Sequence, residues 1–352
     1  MADPDIRDVP GPADRVQFPA GFGPRFVVTV DTEEEFDWAA PFDRFGHALT
    51  HVPWLGRFQE FCENLGVAPV YLVDYPVACD ARMIDLLGPA VADGRAEIGV
   101  QLHPWVSPPH EEDINVHNSY AGNLPPALER AKFETLRRTV AAAFGQAPRI
   151  YRAGRYGVGA HTARIIAEGG IAIDSSVRAR FDYRGEGGGN FRDHPVHPWW
   201  IDRAAGLFEL PLSTLYCGLL RRRGAWLYHA LWRVPRMRGV LARLGLLERV
   251  PLTPEGVDAA AALRAIDAAL ADRLPVLVFS FHSPSLRPGN TPYVRDEAAL
   301  ERLYGWWRAV IAHLRMRGVA PATISEIIAA AQGATSLPSA PTGFNREGSV
   351  GL

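Results

Sequence analysis

Lysine is all but missing from this 352-residue chain: Lys132 is the only one, although lysine and arginine together number 37. Basic charge is therefore carried by arginine, a compositional bias that says little about function. The 39 acids leave a formal net charge of −2, so no global field draws the chain to nucleic acid. Cysteine is scarce too. Cys62, Cys79 and Cys217 are odd in number, far apart and form no CxxC, which excludes a disulfide framework and a cysteine–zinc knuckle. Buried thiols in a reducing compartment are the expectation. No run of eighteen apolar residues offers a membrane span. The first residues, "MADPDIRDVPGPADRVQF", lack the apolar core of a signal peptide, so the expected location is the cytoplasm. There is no GxGxxG after a strand and no Walker lysine; the glycine-rich "GEGGGN" at 185–190 lies in the wrong context.

The remaining composition, 47% hydrophobic and 22% charged, is that of an ordinary globular chain long enough for one large core or two small ones. Residues 1–23 are rich in Pro, Gly and Asp and read as a loose arm; 332–352 read as a disordered tail. Between them, over 24–331, apolar β-branched runs alternate with helical patterns. The runs are "RFVVTV", "PVYLV", "EIGVQL", "RIYRA", "IAIDSSV", "LFELPL", "PVLVFSF" and "VAPATI". Strand-then-helix repetition predicts a parallel α/β fold, either an open sheet or a closed barrel. The reactive residues Asp31, Asp74, His103, Arg152, Asp174 and His282 each follow a different run, from the first to the last. A barrel brings all those strand ends to one mouth, whereas an open sheet gathers ligands at one switch point. The barrel is the expectation.

One segment breaks the alternation. Residues 219–250 carry eight arginines among Leu, Trp and Tyr. They fit an amphipathic insertion lying on a membrane surface, or a surface helix pair that packs its apolar face on the barrel with arginines in water. The second is the expectation.

Four constellations carry chemistry. In "VDTEEEF", Asp31 and Glu33 are two apart and share a side on an extended backbone. Two such carboxylates repel unless a cation or a proton lies between them. This suits a base beside a metal ligand, or the acid and nucleophile of a glycosidase. Glu34, Glu35 and Asp37 read as solvated loop charges. In "EIGVQLHPWVSPPH", Gln101 and His103 share a face at a strand end, with His110 and His117 following. A strand-end imidazole beside a carboxylate suits zinc or a similar divalent ion, although a lone histidine is more often structural. In "IYRAGRYGVG", Arg152 ends a strand and can fix a carboxylate bidentately, while Arg155 sits in the turn. In "PVLVFSFHSPS", His282 ends a buried strand where it can donate a proton. Ser280, Ser283 and Ser285 flank it, but none sits in a GxSxG elbow.

Together, "TVDTEEEF", "EIGVQLHPW", "YRAGRYG" and "FSFHSPS" resemble the NodB-like polysaccharide deacetylases (carbohydrate esterase 4-like), especially the WalW-type branch. The resemblance runs from about Arg25 to Ala331. It implies an irregular (β/α) barrel of about seven parallel strands and a divalent metal, of the zinc class. It further implies hydrolysis of N- or O-acetyl groups on a glycan or amino sugar. It casts Asp31 as base, Arg152 as its holder and His282 as general acid, with Glu33, His103, Gln101 and His110 around the metal. Trp105, Asn118, Tyr120, Arg155, Tyr156, Asp174 and Ser283 are the substrate-side candidates. Aromatic faces at Trp38, Phe181, Tyr183, Trp199, Trp200 and Tyr293 would suit sugar rings. The family pairs two histidines where this chain has Gln101 and His103, so His110 or His117 is left to complete the shell. An inactive barrel that binds a glycan or a protein is the competing reading.

Overall fold

The computed structural model describes residues 3–36, 40–231 and 234–335. In chain order its strands are β1 (Arg25–Thr32), β2 (Val70–Val73), β3 (Glu97–Leu102), β4 (Ile150–Ala153), β5 (Ile173–Asp174), β6 (Trp199–Asp202), β7 (Leu207–Glu209), β8 (Thr214–Cys217), β9 (Glu248–Pro251), β10 (Val276–His282) and β11 (Ala320–Pro321). Seven of them pair in parallel in the order β10-β1-β2-β3-β4-β5-β7. β6 adds antiparallel to β7, and β11 adds to β1. The sheet curls into a half-barrel surrounded by helices. The chain leaving β7 bridges the gap between its two ends. Leu210 and Leu212 donate to Asp174 and Val177 on one side, and Ser213 donates to Val278 on the other.

Both faces of these strands are buried, which is why their sequences are nearly unbroken runs of Val, Ile, Leu and Phe. Side-chain alternation then decides what faces inward. Val27, Ile150, Ile173, Phe208, Val276 and Val278 fill the interior. Each contributes roughly 1.5–3 kcal/mol by leaving water. Ile324, Ile327 and Ile328 of the helix Ile324–Thr335 join the same cluster. The opposite parity, including Phe26, Val28 and Val30, meets the outer helices. Counting on by twos from Val27, Ile150 and Val276 reaches Asp31, Arg152 and His282 at the C-terminal ends. The register pairs Asp31 with His282 and Gln101 with Arg152 across neighbouring strands.

Three segments differ from the sequence expectation. The arm read as loose is tied down: Ile6 and Val16 are buried, and Val16 donates to Pro198. The last helix runs through Thr335, past the expected start of the tail at 332, and 336–352 lie outside the described residues. The arginine-rich segment does form a helix pair, Gly224–Ala230 and Pro235–Arg243, between the antiparallel strands β8 and β9. Its apolar side chains divide. Tyr228 and Leu247 are buried with Tyr216 of β8, and Leu227 and Leu241 pack against them, while Trp226, Met237, Val240 and Leu244 face outward.

Candidate active site

A cavity of about 360 Å³ opens at the C-terminal mouth, lined by Asp31, Glu33, Gln101, His103, Arg152 and His282 among others. Of the six strand-end residues expected at one mouth, Asp31, His103, Arg152 and His282 line the cavity, and Asp74 and Asp174 do not. Arg152 is fully buried and its fork is fixed on every side. Nε donates to Ser175 O (2.9 Å) and Nη2 to Thr29 Oγ1 (3.0 Å) and Ser175 Oγ (3.1 Å), while Nη1 pairs with Asp31 Oδ1. Asp31 thus has a buried counter-charge and an orientation it cannot leave. Its other oxygen lies 3.9 Å from His282 Nε2.

His282 has a partner that sequence reasoning missed. Its Nδ1 donates to Glu255 Oε2 (2.6 Å), its backbone N–H donates to Oε1 (3.2 Å), and Ser285 Oγ donates to Oε1 (2.5 Å). Burial works against the imidazolium, but Glu255, then Glu33 and Asp31, overcome it, and the pKa is pushed up to about 10. The signal available was one of two acids in the Pro/Gly turn "LTPEGVD", the other being the helix cap Asp258, which is too common a pattern to stand out.

The metal-ligand candidates form a layered arrangement. Gln101 Nε2 donates to Glu33 Oε2 (3.1 Å), and His103 Nε2 lies 3.5 Å from the same oxygen. Behind them, His103 Nδ1 donates to Glu34 Oε2 (2.8 Å), and Trp105 Nε1 donates to Glu34 Oε1 (2.6 Å). Glu34, expected to be a solvated charge, is therefore fully buried and orients the imidazole. Its backbone N–H donates to Asp74 Oδ2 (2.7 Å), whose Oδ1 caps the short helix Tyr75–Ala78. Ligand atoms of Glu34, Asp74 and His103 lie within 4.8 Å of one another. Both Glu34 oxygens already have protein donors, however, and the two carboxyls hydrogen-bond to each other, so this group is a shelf for His103. Burial, then Glu34, holds Asp74 protonated well above the carboxylate range.

With Nδ1 engaged, His103 presents Nε2 to the cavity beside Glu33. Gln101 Oε1 is buried with no hydrogen-bond partner among the described residues. Glu33, His103 Nε2 and the unpartnered Gln101 Oε1 are oxygen and nitrogen donors that fit a divalent ion. Burial raises the Glu33 carboxyl to about 8. The turn after β4 is cut to fit. A Cβ on Gly154 would come within 2.4 Å of the His103 ring. Lys132, itself buried, secures the chain beyond His103: Nζ donates to Pro104 O (2.9 Å) and Ser107 O (2.6 Å) and pairs with Glu112 (2.9 Å).

Trp105, Tyr120, Arg155 and Tyr156 line the cavity, as do Tyr183 and Tyr293. Arg155 and Tyr156 are successive non-glycine residues at φ 56° and 60°. Such backbone costs on the order of 1–3 kcal/mol each and clusters at functional sites. Five candidates lie elsewhere. His110 is exposed on the loop beyond Pro109, and His117 is exposed as well, so neither reaches Glu33. Asn118 donates to Asp113 O (2.9 Å) within its own loop. Asp174 is buried behind the cavity against Ser176 and Glu209. Ser283 is buried, with Oγ 2.9 Å from His51 Nε2 and accepting from Glu33 N (3.2 Å). His51 in turn meets Glu35 (2.8 Å), which is neither free nor fully solvated. This Ser–His–Glu chain braces the loops after β1 and β10 and does not line the cavity. Trp199, Trp200 and Phe181 also stand outside the lining, and Asp37 and Trp38 lie outside the described residues.

No protein-family model and no curated protein matches this chain. Among solved structures, it is similar to a Mycobacterium smegmatis protein provisionally assigned as a polysaccharide deacetylase. The two are 20% identical over 96% of this chain and 99% of that one, with a TM-score of 0.50. The fold is the NodB-type deacetylase barrel. More distant likenesses include a family 4 carbohydrate esterase from Streptomyces lividans (11% identity, 86% of this chain and 93% of that one, TM-score 0.42). Another is a family 4 pseudoenzyme from Bacillus anthracis (10% identity, 87% and 66%, TM-score 0.40). In this barrel the cavity mouth is the end where the C-termini of the parallel strands converge.

Proposed function

We propose that the chain is a metal-dependent hydrolase that removes N- or O-acetyl groups from a glycan or amino sugar. The WalW-type branch is suggested by Pro104 and Trp105 directly after His103. The observation that carries the reading is the convergence on one cavity of an arginine-held carboxylate, a Glu–His–Gln donor set and a carboxylate-backed histidine. Glu33, His103 and Gln101 would hold the divalent ion, which supplies Lewis-acid polarisation of the acetyl carbonyl. Asp31, oriented by Arg152, takes a proton from the attacking water. His282, kept protonated by Glu255, gives a proton to the departing amine or alcohol as the carbonyl–nitrogen or carbonyl–oxygen bond breaks. Trp105, Tyr156 and the neighbouring aromatics shield the site and offer faces to sugar rings.

The test is acetate release from acetylated amino sugars by the metal-supplemented protein. Asp31→Asn should lower turnover by about a hundredfold or more; because it also strips the buried Arg152 of its counter-charge, native circular dichroism is checked alongside. Unchanged turnover in that variant removes Asp31 from the mechanism. Release of a reducing sugar instead of acetate would assign Asp31 and Glu33 to a glycosidase. Gln101, standing where the resemblance leads one to expect imidazole, favours a second reading: an inactive barrel that binds glycan. Absence of both metal uptake and acetate release would select it.

A further inference from the structure

We infer that the cavity takes an anionic sugar, one bearing a carboxylate or a phosphate, and that Arg178 pairs with that group. This rests on the hydrolase reading of the cavity. The other cations of the cavity wall are answered one by one: Arg152 by Asp31, Arg155 by Glu186 (3.1 Å) and His282 by Glu255. Arg178 is the exception among the described residues. Among the described residues its side chain makes one hydrogen bond, from Nη1 to Tyr183 Oη (3.2 Å), and its guanidinium rests over Phe181 (4.2 Å) and Tyr156 (5.7 Å). No carboxylate of the described residues forms an ion pair with it. A half-buried charge without a counter-ion is costly unless a ligand supplies one. Aromatic faces fix the plane of the fork and leave N–H donors for a bidentate acceptor. The ring faces of Tyr156 and Tyr183 beside it suit the sugar that carries the acid.

The probes are D-glucuronate, D-glucose 6-phosphate and D-glucose, titrated into the intact protein by calorimetry or ligand-observed NMR. At least one acid should bind about tenfold tighter than glucose, the scale of one charge-assisted contact, and which acid wins separates carboxylate from phosphate. Arg178→Met should erase the preference while Arg178→Lys keeps part of it. Raising salt on the unaltered protein should weaken the acids and spare glucose. Equal affinities for all three, or a preference that survives both Arg178→Met and high salt, would overturn the assignment. No turnover is read, so failure of the hydrolase reading would show separately, as missing acetate release with the acid preference intact.

A different observation carries a second inference: the face formed by 219–231 and 234–244 docks on an anionic bilayer surface. Leu219, Trp226 and Leu244 are 84%, 69% and 64% exposed, and Val234, Met237 and Val240 are exposed beside them. Residues 219–247 hold seven arginines and no acid, so the segment is +7 in a chain that is −2 overall. Arg222, Arg223, Arg236 and Arg243 are exposed and make no ion pair with a described residue. A second copy of this face would set like charges against each other. An anionic lipid surface answers both features at once, phosphates for the arginines and the acyl boundary for Trp, Leu and Met.

The experiment is co-sedimentation of the intact protein with phosphatidylcholine vesicles, with and without about one-third phosphatidylglycerol. Binding should require the anionic lipid and fall with salt. It should drop at least about tenfold in Trp226→Ser/Met237→Ser/Leu244→Ser and in Arg222→Glu/Arg236→Glu/Arg243→Glu. The altered side chains are exposed, so thermal stability should hold. No sedimentation, equal binding to both vesicles, or a dimer by light scattering that these changes dissolve would overturn the inference.

Discussion

Replacing Glu255 by Gln removes a charge while keeping the shape of the side chain. In the native protein, carboxylates led by Glu255 lift His282 from 6.5 to about 10 against the cost of burial. An opposite charge at this range is worth about 1–3 pH units, so the variant's imidazolium should titrate between about 7 and 9. A general acid works below its pKa and fails as pH rises through it. The alkaline limb of kcat/KM for acetate release should therefore move down by that amount. At pH 9 the variant should lose about twofold (pKa near 9) to about a hundredfold (pKa near 7) relative to pH 6, where both proteins hold most of the proton. Stability follows the same sign. A histidine whose pKa is raised on folding contributes fully below the unfolded value of 6.5 and loses that contribution as pH climbs toward 10. The stabilisation lost in Glu255→Gln should thus be larger near pH 6 than near pH 10. A pH–rate profile with an unmoved alkaline limb would refute Glu255 as the group that keeps His282 protonated. A uniform loss at every pH would reduce it to a packing contact.

Metal uptake should release about one proton near pH 7, because Glu33 titrates near 8 and must ionise to bind; calorimetry in buffers of different ionisation enthalpy counts it, and a count of zero removes Glu33 from the ligand set. Gln101→His should tighten binding of a zinc-class ion about tenfold or more, read by titrating chelator-stripped proteins; equal affinities would place Gln101 outside the coordination shell. Gly154→Ala should displace the His103 ring and weaken metal binding about tenfold or more while the circular dichroism stays native, and an unaffected affinity would separate His103 from the metal.

Strand ends were legible because buried parallel strands leave a plain apolar signature, and parity along each strand then pointed Asp31, Arg152 and His282 inward. That logic stopped where the strands stopped. β1 ends at Thr32, so the same-side argument linking Asp31 to Glu33 could not tell Glu33 from Glu34, and both turn out to be buried. Glu255 stands 27 residues before His282 in a loop of no distinctive pattern, and only folding makes them partners. β8 and β9 were passed over for a related reason: they are four residues each and pair only with each other. The arginine-rich segment shows a different limit. Its periodicity announced an apolar face, but nothing in a helical pattern says whether that face looks toward the barrel or away.

The buried Lys132 makes the protein its own reporter. Amine-selective acylating reagents find no other lysine side chain on this chain, and this one is sealed between Pro104 O, Ser107 O and Glu112. Side-chain acylation can proceed only while residues 104–112 swing open. Its rate therefore measures the opening of the loop that follows His103, in a single mass shift on a single peptide. Any ligand that draws His103 toward the cavity should slow that clock.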